Sequence, residues 1–440
     1  MELNKEINAY PTKSFFIDML IKDIPLIDAI ADLVDNSVDA AINLRKDTGS
    51  FTGLQVELTL SGENFIIRDN CGGFDADTAK NYAFRFGRPD NAPNIKNSIG
   101  RFGVGMKRAL FKMGNNIHIN SKTLNSYFEV NLDIKKWKED TDNWLWEFEK
   151  LNMEIQNGDL GTLIKVENLY PEVSSTFSKS SFVDALIKEI RVSHEKVIEK
   201  GLKIVINGIP LKFEPSQLYV SENIKPAYFK TEVDGVTVEI LAGISKTGHP
   251  REAGWYIYCN GRLIVLANKS QLTGWGDGHA MFHPTYAMFR GYVFFEATDS
   301  NKLPWNTTKN GIDEESNVFQ AIRPHLLNLM KPVTNFLKKL KTEPFGGEDQ
   351  FENDEFETEK GLYDFVNEAE LQDVSSIEKT TLSRRFLSPE IKLVRKPSTQ
   401  RIQYNMPVEQ IEKVKEALQV TSLKELGEKT FEYFYRMECR

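Results

Sequence analysis

The chain has little cysteine and little histidine, three of the former and six of the latter in 440 residues. Cys71, Cys259 and Cys439 are widely spaced and form neither a CxxC nor a Cys/His ligand pattern, which argues against a disulfide framework and against a structural zinc site. A reducing compartment is the expectation. No run approaches the roughly eighteen apolar residues of a membrane span, and MELNKEINAY lacks a positive start leading into an apolar core. Neither a spanning helix nor a secretory leader is expected, and the expected location is the cytoplasm. An excess of positive charge is also missing. With a formal net charge of −8, the chain has no global attraction for nucleic acid or acidic lipid, so any such contact requires a local basic patch. No internal repeat is visible.

What is present is the balance of a soluble globular protein, 40% apolar and 27% charged, in a chain too long for one ordinary core. Two folded domains plus extra segments are expected. Residues 1–171 read as an α+β layer domain, with helices on one face of a mixed sheet. LQVELTL and NFIIRD, separated by SGEN, alternate as a hairpin, and NIHINS, SYFEVNLDI, WLWEFEKLN and GTLIKVENL read as further strands. Residues 172–341 read as a second α/β domain: helices over 176–200, hairpin turns at Asn207-Gly208 and Asn260-Gly261, and a closing helix over 311–341. Residues 342–375 turn acidic and read as a flexible linker. A basic segment at 383–401 and a helical tail from Val408 onward make up residues 376–440.

The most informative stretch is residues 24–43, IPLIDAIADLVDNSVDAAIN. On a helical period Asp28, Asp32, Asp35, Asn36, Asp39 and Asn43 share one arc, and Leu26, Ile30, Leu33, Val34, Val38 and Ala41 cover the rest. Such a front could simply face water. Two later segments give it another use. Asp69 ends a strand just before Gly72-Gly73, where the backbone can turn in ways other residues resist. Gly103, Val104, Gly105 and Met106 lie in a glycine-rich loop that opens a helix, after a long polar loop, FGRPDNAPNIKNS, at 86–98. A helix start of that kind offers unpaired N–H groups and a positive dipole end to an anion, phosphate above all.

Together these pieces could hold a nucleotide. Asn36 would bind Mg²⁺ through its amide oxygen, and Asp69 would accept from an adenine amino group. The loop N–H groups would hold phosphates, and Asp32 would polarise the attacking water. Lys107 and Arg101 would either touch phosphates or face solvent. Asp35 is expected toward the lid or solvent, Asp39 toward the sheet or backbone, and Cys71 as a small buried residue. The histidines read as surface or core residues.

In these segments the sequence resembles the GHKL ATPase superfamily, which includes gyrase B, MutL, microrchidia (MORC) proteins, a large heat-shock chaperone and histidine kinases. IADLVDNSVDA is similar to its first box, IRDNCGGF to its adenine box and IGRFGVGMK to its phosphate loop. GTLIKVENL resembles the strand whose Thr, here Thr162, helps the box aspartate bind adenine. The resemblance implies a Bergerat-type α/β sandwich, then a transducer-like α/β domain and a helical C-terminal region. GWYIYCNGRLI resembles part of that second domain in MutL and MORC proteins. SNKLPWNTTKNGID lies where that group carries a lysine reaching the γ-phosphate, which makes Lys309 the candidate and Lys302 the alternative. It further implies ATP and Mg²⁺ as ligands and a homodimer when ATP is bound. Two departures stand out: Asp32 replaces the usual Glu, and Cys71 replaces the first glycine of the adenine box. The expected activity is a Mg²⁺-dependent ATPase acting as a conformational switch, closest in pattern to MORC and MutL-like members. DNA or a partner protein would be held through the 383–401 segment and the C-terminal helices. The alternatives are a nucleotide-gated binding module with little hydrolysis and a chaperone-like ATPase.

Overall fold

A computed structural model describes residues 11–46, 48–87, 104–140, 143–153, 159–306, 308–340, 356–358, 362–367, 369–378, 383–391, 393–395 and 402–439. The chain divides into two compact units, Met1–Glu343 with Thr358–Lys392, and Pro344–Glu357 with Leu393–Arg440.

In the first unit, helices α1 (Lys13–Ile21) and α2 (Leu26–Leu44) precede the hairpin β1 (Gln55–Leu60) and β2 (Asn64–Asp69). Helix α3 (Gly105–Met113) leads into β3 (Gly114–Lys122), β4 (Tyr127–Asp133), β5 (Lys150–Asn152) and β6 (Gly161–Leu169). After helix α4 (Ser180–Ser193) come β7 (Lys203–Ile206) and β8 (Ile209–Pro210). These eight strands form one mixed sheet in the order β5-β4-β3-β6-β2-β1-β7-β8, antiparallel throughout except where β7 runs parallel to β1. Val56, Leu58 and Leu60 alternate with exposed or half-buried neighbours along β1, as do Phe65 and Ile67 along β2. Period-two burial of this kind puts one face of the sheet into the core. There α2 and α3 cover it with Ile30, Leu33, Val34, Val38, Leu110 and Phe111, each removed from water for about 1.5–3 kcal/mol.

A second sheet follows in the same unit. After β9 (Gln217–Val220), strands β10 (Ala227–Val233), β11 (Val236–Ile244), β12 (Gly254–Cys259), β13 (Arg262–Asn268) and β14 (Phe289–Glu296) pair in the order β10-β11-β14-β12-β13. The β12–β13 hairpin turns on Asn260 at φ 46° and Gly261 at φ 78°, the positive pair that a two-residue turn requires. The long helix α5 (Asn317–Leu340) packs on this sheet through Phe319, Ile322, Leu326 and Met330.

The sheet does not end with the expected domain boundary at Pro171: β7 and β8 return from residues 203–210 to extend it, because β1 offers an open edge for a parallel partner. WLWEFEKLN contributes only β5 to the sheet; its Trp144, Trp146 and Phe148 join an aromatic cluster with Phe86, Phe111, Phe128 and Trp137. The expected linker also contains structure. Strand β15 (Glu370–Asp373) pairs with β9, and Val374 and Ile377 are buried against Leu218 and Tyr228, so apolar side chains inside an acidic stretch decide its fate. In the basic segment, Arg384 and Leu387 bridge to Tyr228 and Lys225, and the Arg384 guanidinium donates to the Pro226 carbonyl. Residues 396–401 of that segment lie outside the described residues.

The second unit carries helices α6 (Val408–Leu418) and α7 (Leu423–Glu438), in which no residue is buried. Among the described residues no helix is long and apolar enough to cross a membrane.

Candidate nucleotide site

Helix α2 supplies the floor of the site. Pro25 caps its start, and its apolar back fixes its rotation on the sheet, so the carboxylates are aimed by packing. The helix face is less uniform than its sequence arc suggests. Asn36 is exposed and its side chain makes no hydrogen bond among the described residues, whereas Asp32 and Asp35 are only 3% and 0% exposed.

At one end lies Asp69, the last residue of β2. Its Oδ1 accepts N–H donations from Cys71 at 2.9 Å and Thr162 at 3.3 Å, and its Oδ2 accepts from the Ser37 hydroxyl at 2.7 Å. Burial raises the pKa of this carboxyl, and the Cys71, Ser37 and Thr162 donors oppose the rise. The turn beyond it needs glycine. Gly73 sits at φ +65°, and a Cβ there would stand 2.5 Å from the Lys122 carbonyl oxygen and 2.8 Å from Ser121 Oγ. Cys71 stands where the family pattern has glycine, yet it does not have a positive φ. The left-handed turn is made by Gly72 and Gly73, and the Cys71 side chain is buried in the core. Ser121 ties the wall together, accepting from the Phe74 N–H at 2.8 Å and meeting Thr162 Oγ1 at 3.3 Å. Ser37 and Ser121 escaped the sequence reading, since an isolated serine has no periodicity to mark it.

At the other end α3 begins. Val104 caps it, and a Cβ on Gly105 would come 3.0 Å from Asp32 Oδ2, so the helix start and the acid are in close approach. Gly103 and Arg101 lie outside the described residues, as does the 88–103 part of the expected lid. Val104, Gly105 and Met106 are half-buried at the start of α3. Lys107 was expected at a phosphate or in solvent, and it is not in solvent. It is buried, donates to the Ala83 carbonyl at 2.7 Å and lies 5.9 Å from the centre of the Phe86 ring. Burial lowers its pKa to about 7.

Asp32 is paired on both oxygens. Arg108 donates to Oδ2 at 2.6 Å and Lys309 to Oδ1 at 3.2 Å. Burial, the largest influence, pushes its pKa up, but Lys309 and then Arg108 outweigh it and the net direction is down. Lys309 comes from the second sheet's side of the unit, on a loop closed by a Trp305–Ile312 bridge and an Asn306 N–H bond to Gly311. Lys302 lies elsewhere, exposed beside Asp234 and Gly235.

Asp35 overturns its expectation of a lid or solvent position. It is fully buried, with His194 Nε2 at 2.9 Å from Oδ1 and with Lys309 Nζ at 2.7 Å and the Arg262 guanidinium on Oδ2. A carboxylate is buried this way only when several donors replace water. Burial brings the His194 pKa down to about 4 and that of Arg262 to about 10. A neutral imidazole agrees with that direction; its Nε2 faces Asp35, and its Nδ1 lies 2.9 Å from Ser193 Oγ and 3.2 Å from the Ile190 carbonyl. Arg108, Arg262 and His194 were missed as site residues because their partners are far away in sequence.

Residues 24–162 match the family model described as histidine kinase-, DNA gyrase B- and HSP90-like ATPase. No curated protein matches the chain. The helix-on-sheet layer, the strand-end Asp69 with its glycine turn, and the α3 start facing Asp32 all fall in or against that span, and residues 24–162 constitute a GHKL-type ATPase domain.

Proposed function

We propose that the protein is a Mg²⁺-dependent ATPase that works as a conformational switch, of the MORC and MutL-like kind. The observation that carries this reading is the meeting on Asp32 of the α3 start, within the ATPase domain, and of Lys309, 277 residues away. ATP would lie with its adenine amino group on Asp69 and its phosphates on the N–H groups around Val104, Gly105 and Met106. Asn36, exposed and with a side-chain amide that makes no hydrogen bond among the described residues, offers a hard oxygen suited to Mg²⁺. When bound, the ion would neutralise phosphate charge. Asp32 takes a proton from water as its oxygen attacks the γ-phosphorus, the bond to ADP breaks, and Lys309 offsets charge on the departing phosphoryl group. A lysine arriving from outside the ATPase domain also registers whether a γ-phosphate is there, which ties turnover to movement.

Asn36→Ala should lose Mg·ATP binding by calorimetry, and Asp32→Ala should bind but not turn over. Normal hydrolysis by both variants would remove the site assignment. The clamp part of the reading, a homodimer formed with ATP and acting on DNA or a partner protein, is tested by size exclusion with and without a non-hydrolysable ATP analogue and DNA. An unchanged mass in every condition would contradict it. Exposed Phe431, Phe434, Tyr435 and Met437 on α7 support a partner role for the C-terminal helices.

One observation favours a second reading, a nucleotide-gated module with little hydrolysis. Both oxygens of Asp32 are held by cations, and a carboxylate so paired is a weak base. Single-turnover phosphate release separates the two readings.

A further inference from the structure

Asp28, Asp32 and Asp35 are spaced i, i+4 and i+7 on α2 and therefore share a face. The loop carrying Lys309 docks along that row. Asn310 donates to Asp28 at 2.8 Å, and the Lys309 ammonium lies between Asp32 at 3.2 Å and Asp35 at 2.7 Å. Lys309 has φ 55°, a conformation a lysine seldom adopts without being held there, and its N–H donates back to the Asn306 carbonyl at 3.1 Å. The two aspartates are not equivalent. Asp32 faces the α3 start and the reaction. Asp35 faces away from it and is held by His194 at the end of α4 and Arg262 on β13. All three of its partners lie outside residues 24–162. Beside them a cavity of about 330 Å³, lined among others by Glu189, Arg262, Lys309 and Asn310, leaves the loop room to shift on one side.

We propose that Asp35 is the positioning residue for Lys309. It grips the ammonium from the side away from the reaction, so that the remaining N–H donors can pass from Asp32 to the γ-phosphate without the loop leaving α2. His194 and Arg262 fix the carboxylate in turn, and the grip is what joins the second sheet to the ATPase helix. The movement frees Asp32 Oδ1 in the same step that brings the cation to the phosphate, so Asp32 becomes a stronger base only when a γ-phosphate has claimed the lysine. The inference rests on the ATPase reading for its catalytic part and on the geometry alone for its docking part.

The test uses the full chain. In Asp35→Asn, amide exchange over residues 303–313 without nucleotide should quicken about tenfold, the equivalent of one lost charge-assisted hydrogen bond. With Mg·ATP, kcat should fall at least tenfold while KM changes less than about threefold, as expected for a misplaced catalytic group. Lys309→Met should show the same kcat loss, the double variant should be no worse than either, and Asp35→Glu should recover part of the rate. Wild-type exchange or wild-type kcat in Asp35→Asn, or additive losses in the double variant, would overturn the proposal. If Asp35→Asn fails to fold, Asp35→Asn with Arg262→Gln removes both buried charges together and serves in the same comparisons. A wild-type chain that neither binds nor hydrolyses ATP would defeat the ATPase reading, while the exchange experiment would still decide the docking.

Discussion

The two ends of the candidate site are built on different principles. The Asp69 end is local: Asp69 is fixed by Ser37, Cys71 and Thr162, all within the ATPase domain, over a turn that only glycine fits. The Asp32 end is ionic and assembled at long range, with Asp32 and Asp35 held by Arg108, His194, Arg262 and Lys309. The contrast assigns each end a task. A wall fixed by local hydrogen bonds is preorganised and can select a ligand at little cost in rearrangement. A cluster of buried charges has strong alternative pairings, so a new anion can redirect it.

The largest effect expected on the Asp69 end is from Gly73→Ala. A positive φ and a Cβ 2.5 Å from the Lys122 carbonyl should together cost about 3 kcal/mol or more, read as a drop in melting temperature with loss of ATP binding. A variant as stable as wild type would show that the turn does not set this wall. The Asp32 end should instead answer to pH. His194 has its folded pKa depressed to about 4 by burial, against about 6.5 unfolded. The stability it contributes is complete above pH 6.5 and is lost as pH falls towards 4. Over that interval the loss is about 3 kcal/mol, so denaturant melts of His194→Gln should decline less steeply with acid than those of the wild type. Parallel slopes would contradict a neutral buried imidazole.

Asp69→Asn should weaken ATP binding about 10–100-fold, the value of one hydrogen bond to a charged acceptor, and narrow the preference over GTP, measured by competition. The smallest effect should come from Arg108→Gln. Arg108 and Lys309 hold the Asp32 pKa down against burial, so removing one cation should move the acid limb of the kcat profile upward by about one pH unit. An unmoved limb would mean that Arg108 does not tune the base.

This division also explains what the sequence reveals. The spacing of Asp32, Asn36, Asp69, Gly73 and Gly105 predicts the ATPase domain because each belongs to a short segment whose turn or helix start has its own chemical signature. The hairpins at Asn207-Gly208 and Asn260-Gly261 are legible for the same reason. Asp35 is not. A carboxylate on a polar arc looks the same whether water or buried cations lie in front of it, and its partners at 194, 262 and 309 are brought there only by the packing of α4 and of the second sheet. The reach of β7 back to β1 and of β15 to β9 is hidden likewise, since an open strand edge in one place and a short apolar run in another carry no mark of their pairing. Lys107 shows the converse: beside the phosphate loop it reads as a phosphate contact or a solvent-facing cation, and its burial, with a bond to the Ala83 carbonyl beside the Phe86 ring, has no mark in the sequence.

The central claim is that Asp32, despite its two cationic partners, is the base of an ATPase. Single-turnover release of phosphate from Mg·ATP by the full chain, with wild type and Asp32→Asn compared at equal bound nucleotide, tests it most directly. A wild-type release that falls about 100-fold or more in the variant is the predicted result. Equal release from both proteins, or no release from the wild type with ATP bound, would contradict it.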